Sequence, residues 1–565
     1  MRLHGNLVAL GVLAASSIAC GAIVGIHDVS DAPAPGGDAS TTPDSTTPEA
    51  GGPDSGADAP IDAPPDAPVS SELTGGAAHF LQAGDTVTLS YVELATGATK
   101  DLEVAANGPF TFPVTAKTAA IKTPAAGKSC WLRDTGAKTV DVRCVLSSRV
   151  VVPGASTESA SFVAMPGGTA TFTTDLPKSS MLIAFSMPFA TTGGPEANSP
   201  NYASLQVRAV VDGDADKTIE LTRGSTYWHQ GWNQTLLGTI EVGPGDHTVA
   251  VELREIQPTP IAGRAAIVGA QFETGNGPVD YKSELLVTGL ESLRTFEGAQ
   301  STKVTTEQVI TSADKDKWLT MHSVSGTSAS PQKAFVSAYY PEIEAISGTS
   351  TSAAWYALMS GATTLAGHDL YHVQDANGVR SLMLTGVQPV SGKWTFQLDQ
   401  RTAIGPTRIA PSPGNGANAR AGGAITAMLF SASADLQSWS LSGDANFNGA
   451  INDWQPVASS KATVKTKGKA LVFMHVNRMA NTTPGGASEI GLFDGATEVV
   501  RGYTQSWSYD YGQGCALATI ADFSAPGTHE LELRVRRVNN GVPLIRHTPT
   551  PDFRGVSTVT IVPLD

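Results

Sequence analysis

The chain has 565 residues, enough for roughly three or four domains, because single cores stop growing well below that size. A formal net charge of −15, from 37 Lys and Arg against 52 Asp and Glu, excludes a polyanionic partner: nucleic acid and anionic lipid are held by a Lys/Arg surface that releases counterions. Hydrophobic residues at 41%, charged residues at only 16% and 58 glycines fit β-rich exported material and exclude a coiled coil.

Met1, Arg2 and His4 make a short basic start, and Leu7 to Ala19 is an apolar run too short to rest across a hydrocarbon core of about 30 Å. The pattern predicts a signal segment over residues 1–20. Its end, Ser17-Ile18-Ala19-Cys20, resembles the bacterial lipobox, with Ser17 where Leu is usual. The resemblance implies a diacylated Cys20 as the mature N-terminus and a protein exported to the outer membrane or cell surface. Each buried CH₂ contributes about 0.8 kcal/mol, so two or three acyl chains anchor stably where one does not. Conventional cleavage near the same point stays open as the alternative.

Residues 21–71 contain nine acids, no Lys or Arg, and runs such as Asp62-Ala63-Pro64-Pro65-Asp66-Ala67-Pro68. A segment this poor in aromatic and β-branched residues cannot bury enough apolar surface to offset its ordering entropy, so it is expected to be a disordered tether. A flexible coil of that length spans about 40 Å.

Alternating segments begin near Glu72, as in Thr86-Val87-Thr88-Leu89-Ser90-Tyr91-Val92, and predict a small β-sandwich over 72–147. Its Cys130 and Cys144 have a spacing that suits a disulfide between neighbouring strands in an oxidising compartment. Such a closure adds roughly 3 kcal/mol in the chain-entropy model. This module resembles the Ig-like units repeated in bacterial surface proteins.

The remainder repeats internally. Strand–turn–strand endings superpose about Gly245, Gly392 and Gly527, and hairpins about Gly213, Gly361 and Gly495. Upstream landmarks keep step: Trp318 precedes Lys333 by fifteen residues, Trp454 precedes Lys469 by fifteen, and Phe162 precedes Lys178 by sixteen. Modules are therefore predicted at 148–278, 295–432 and 438–565, each with about eight strands. The fold class is all-β. This layout resembles the jelly-roll family of the C1q and tumour-necrosis-factor type, which implies a trimer, or here an internal pseudo-trimer.

Candidate chemistry is sparse. Gly326-Thr327-Ser328-Ala329-Ser330-Pro331 is similar to a subtilisin nucleophile segment but one residue short, and no matching His or Asp segment supplies a base, without which a serine hydroxyl is a poor nucleophile. Asp444, Asn446 and Asn448, with Gly449 following, match the first half of a calcium loop, yet Gln455 stands where a bidentate carboxylate belongs. An interdomain loop is the other reading, and no other cofactor is expected. Asp212-Gly213-Asp214-Ala215-Asp216 reads as a solvated hairpin tip, since Lys217 takes the glycine position. His247 and His529 match Trp394 in the second copy, which predicts packing rather than metal binding.

Tyr227, Trp228 and Trp232 in the first copy correspond to Tyr503, Trp507, Tyr509 and Tyr511 in the third. Flat aromatic faces of this kind stack on sugar rings or pack at protein interfaces, and they also serve as ordinary core. The sequence therefore predicts a non-enzymatic, lipid-anchored protein displaying β-sandwiches for adhesion or for binding a glycan or protein ligand. A β-sandwich carbohydrate-active hydrolase, needing two carboxylates about 5–10 Å apart, and a passive envelope component stay open as alternatives.

Overall fold

The computed structural model describes residues 79–80, 86–93, 98–105, 116–123, 130–134, 140–191, 203–225, 231–255, 266–268, 271–274, 277–280, 283–304, 308–345, 351–373, 380–404, 407–409, 423–441, 445–481, 486–506, 513–523, 527–546 and 554–564, save single positions at 158, 175, 459, 467 and 540. The expected signal segment, Cys20 and the tether lie outside them.

The fold is all-β. In the small N-terminal module, Thr86–Glu93 is the centre of a three-stranded sheet between Thr99–Ala105 and Ala116–Thr123. A second sheet pairs Val140–Cys144 with Cys130–Asp134 and, in parallel, with His79–Phe80. Cys130 and Cys144 are direct partners in the antiparallel register. Facing residues in such a pair have Cα atoms about 4.5–5.5 Å apart, within the span of a disulfide.

Three sandwiches follow with one connectivity. The first has its eight strands at Ser147–Val152, Val163–Thr174, Ser179–Thr191, Ala203–Val211, Thr218–Ser225, Gly231–Val242, Gly245–Glu255 and Ser283–Gly289. Counting these in order, one sheet runs 1-8-3-6 and the other 2-7-4-5. This is the jelly-roll winding. The eighth strand carries the sandwich past the expected boundary at 278, because Leu285, Leu286 and Val287 are fully buried and complete its core.

The second sandwich spans Phe296–Lys303 to Ala424–Ser431, and the third Gln437–Ser440 to Thr558–Pro563. Both repeat the two sheet orders. In the second, strands two and three fuse into Trp318–Ala345 and strands six and seven into Arg380–Ile404, so each long strand serves both sheets. The turn glycines Gly245, Gly392 and Gly527 all have positive φ (131°, 63° and 156°), a backbone state that side chains disfavour.

Each third strand is buried on both faces: Met181 to Met187, Ala334 to Tyr340, and Ala470 to Asn477. Along the second copy, Ala334, Val336, Ala338 and Tyr340 fill that sandwich's own core, whereas the alternate Phe335 and Tyr339 join a cluster shared with the first sandwich. In the third copy Val472, Met474 and Val476 face inward, and Leu471 and Phe473 enter the shared cluster. Strand alternation sends successive side chains to opposite faces, so a continuous apolar run here covers two cores at once.

The outer faces meet cyclically. From the first sandwich to the second, Tyr339 Oη donates to the Glu220 carbonyl at 2.6 Å. From the second to the third, Gly367 and Val556 exchange backbone hydrogen bonds at 3.1 and 3.2 Å, and His368 Nδ1 lies 2.9 Å from His475 Nε2. From the third back to the first, Thr519 Oγ1 donates to Glu284 at 2.6 Å and Arg149 Nη1 donates to the Ile520 carbonyl at 3.4 Å. At each junction the strand-five and strand-six edge of one sandwich rests on the outer 1-8-3-6 face of the next.

Candidate functional site

At the junction of the third and first sandwiches the contact becomes a β-ladder. Gly231 pairs with Gln505 and Trp232 with Thr504 in antiparallel register, joining a sheet of each sandwich into one of eleven strands. Asn233 Oδ1 accepts the Tyr503 backbone N–H at 2.6 Å across this seam. Tyr503 itself is fully buried, and that burial, with the Glu489 charge nearby, pushes its phenol well above the usual tyrosine range. It has no exposed face to offer a ligand. Tyr227, Trp228, Trp507, Tyr509 and Tyr511 lie outside the described residues, as does the side chain of Trp232.

Asp444 also lies outside the described residues. Asn446 sits in a two-residue strand paired with Leu544, Asn448 is exposed, and Gln455 Oε1 accepts the Gly449 N–H at 3.1 Å. The residue expected at the last ligand position is thus spent on closing the loop. Among the described residues no group of three or more His, Cys, Asp or Glu is placed to hold a metal ion. Ser328 is buried mid-strand, and its Oγ accepts the Trp394 indole N–H at 3.0 Å, which leaves it tied to packing.

Two recurring devices escaped the sequence reading. The first is a hairpin latch. His247 Nδ1 lies 2.8 Å from Asp212 and its Nε2 2.9 Å from the Gly243 carbonyl, while the ring packs on Phe172 at 5.3 Å. In the third copy His529 Nδ1 meets Asp494 at 2.6 Å and packs on Phe523 at 4.8 Å. In the second copy Trp394 packs on Phe396 at 5.4 Å. Packing is therefore common to all three, and the carboxylate pairing is added in two. Burial works to raise the Asp212 carboxyl, but hydrogen bonds from His247 and the Thr248 N–H, with the His247 and Lys217 charges, outweigh it and hold the group below its ordinary 3.8.

The second device is an arginine stacked on an aromatic ring. Arg254, Arg401 and Arg536 stand nine residues beyond their turn glycines and lie over Phe162 at 4.4 Å, Trp355 at 5.2 Å and Trp454 at 4.8 Å. Such stacks contribute about 0.5–2 kcal/mol each. Phe162 and Trp454, which mark the repeat in the sequence, are the rings under two of these cations, whereas Trp318 lies under Arg554 at 4.5 Å. Burial lowers the pKa of Arg254, and Gln206 Oε1 accepts its Nε–H at 2.7 Å. In the third copy Glu489, fully buried, is paired with Arg536 and lies 3.8 Å from Arg501, and in the second Asp399 accepts from Thr320, Gln397 and Arg554 at 2.8–3.0 Å. These acids are occupied in holding sheets together.

No family model and no curated protein matches the chain. Among solved structures it is similar to an insecticidal delta-endotoxin from Bacillus thuringiensis (7% identity, TM-score 0.16, covering 68% of this chain and 53% of that one). It is also similar to the Macrobrachium rosenbergii nodavirus structure (8%, 0.13, 54% and 98%) and to the Gx strain of infectious bursal disease virus (9%, 0.13, 77% and 80%). The chain thus spans about half the length of the toxin, and scores this low add nothing to the strand connectivity given above.

Proposed function

We propose that the chain is a non-enzymatic lipoprotein, anchored outside the cytoplasm through acylated Cys20 and a flexible tether, whose ring of sandwiches serves adhesion or ligand binding, with a glycan as the favoured ligand. The seam between the third and first sandwiches carries this reading. Because Gly231 pairs with Gln505, the segment bearing Tyr227 and Trp228 and the segment bearing Trp507, Tyr509 and Tyr511 are joined to neighbouring residues. Two aromatic-rich stretches from distant parts of the chain thus start from one place, and aromatic faces stack on the C–H faces of sugars.

The test is a glycan array probed with the full chain in detergent, beside Trp228→Ala and Trp507→Ala. Binding by the parent and at least a tenfold loss in each variant is the expected result. A blank array, or binding that survives both substitutions, sinks the proposal. Acylation is read separately, by mass spectrometry of the mature N-terminus and by release of a Cys20→Ser variant from the membrane.

A further inference from the structure

The three junctions of the ring are not alike. Between the second and third sandwiches, strand six touches strand eight directly: Thr385 Oγ1 donates to Thr560 at 3.3 Å, and Thr558 Oγ1 donates to the Thr385 carbonyl at 3.2 Å. Between the third and first, Thr519 of strand six reaches Glu284 of strand eight at 2.6 Å. Between the first and second, the corresponding strands, Gly231–Val242 and Ala424–Ser431, flank a cleft of about 400 Å³.

The matching position on the third strand differs between two of these junctions. Four residues beyond Lys469 stands Phe473, whose ring fills the equivalent face of the third sandwich; four beyond Lys333 stands Ser337, which lines the cleft. Ser337 also belongs to a row of hydroxyls. Thr426 is the direct neighbour of Ser337 on one side and of Ser301 on the other, and Ser301 Oγ and Thr426 Oγ1 are 2.9 Å apart. Thr239 lines the cleft from the first sandwich, and Ile219, Ile240 and Tyr339 add its apolar lining.

We propose that this cleft binds a small uncharged polyhydroxylated molecule, a mono- or disaccharide or a sugar alcohol. Hydroxyl side chains both donate and accept, as sugar hydroxyls do, and the apolar surface suits the C–H face of a ring. The bordering charges cancel: Lys217 and Lys303 stand against Asp216 and Glu241, and their outlying partners, Lys178 beside Glu241 at 2.6 Å and Asp214 beside Lys217 at 3.9 Å, offset each other. An anion or a cation therefore meets no net opposite charge, while the volume lies within the range of small-molecule sites, about 300–1,000 Å³. This site is separate from the aromatic seam and does not depend on it.

The test is saturation-transfer NMR and calorimetry on the full chain with glucose, galactose, mannose, N-acetylglucosamine, lactose, cellobiose and sorbitol as probes. At least one probe is expected to bind, with affinity reduced tenfold or more by Ser337→Phe and threefold or more by Ser301→Val, and unchanged by Lys315→Ala, an exposed position outside the cleft. Ser301→Val keeps the test decisive should the larger substitution prevent folding. The proposal is overturned if no probe binds, if the cleft variants bind like the parent, or if Lys315→Ala weakens binding as much as they do.

Discussion

The rings of Phe335 and Phe473 stack with centroids 5.1 Å apart and 26° between their planes, although 138 positions separate them in the chain. Each lies on the third strand of its sandwich, on the face turned away from that sandwich's own core. Truncating a buried phenylalanine costs about 3–5 kcal/mol. Phe473→Ala is therefore expected to lower the thermal midpoint of the ring while leaving the far-ultraviolet β signal intact at low temperature. An unchanged midpoint would mean that the sandwiches do not stabilise one another.

The direct pairing of Cys130 with Cys144 leads to a redox prediction. In protein recovered from an oxidising compartment, non-reducing peptide mapping should find these two residues cross-linked. Reduction should destabilise the small module by roughly 3 kcal/mol and leave the midpoint of the ring where it was. Alkylation of both thiols without prior reduction is the contrary result.

Cys515 is completely buried, and burial pushes its thiol up to about 12 despite a backbone hydrogen bond from Asn233 that works the other way. The thiolate is the reactive form. Iodoacetamide at neutral pH should leave Cys515 unmodified in the folded protein and label it fully in guanidinium. Rapid labelling of the native chain would show that the core of the third sandwich is open.

Asp212 gives a pH signature. Its folded value lies below the ordinary 3.8, so its contribution to stability is complete above that value and is lost as the pH falls through the lower folded one. Denaturation midpoints measured between about pH 5 and pH 2 should fall less steeply for Asp212→Asn than for the parent. Parallel curves for the two proteins would remove the latch from the account of acid stability.

Much of the architecture was legible because backbone requirements leave a register in the sequence. The turn glycines, and Trp318 and Trp454 at equal distances from Lys333 and Lys469, marked copies that the sheets reproduce strand for strand. Contacts between copies were harder to read. Met181 to Phe185 and Ala470 to Met474 are unbroken apolar runs, the mark of strands covered on both faces, but a periodicity reading that looks for alternation assigns such runs to a single core. The Asp212–His247 latch was hidden because Trp394 at the matching position advertises only packing. In the sequence Tyr503 reads as a candidate ligand contact because its neighbours are aromatic, but whether an aromatic faces solvent depends on a partner strand more than two hundred residues away.

Because its three members share one backbone, the ring cannot come apart by dilution. Separate subunits drift away from each other when their concentration drops below the dissociation constant, whereas linked ones face each other at an effective concentration of order millimolar however thin the suspension. Each junction also has its own stretch of gene. Ser337 at one and Phe473 at another are substitutions that identical subunits could not make independently, and such freedom lets one seam loosen into a cavity while the other two keep the circle shut.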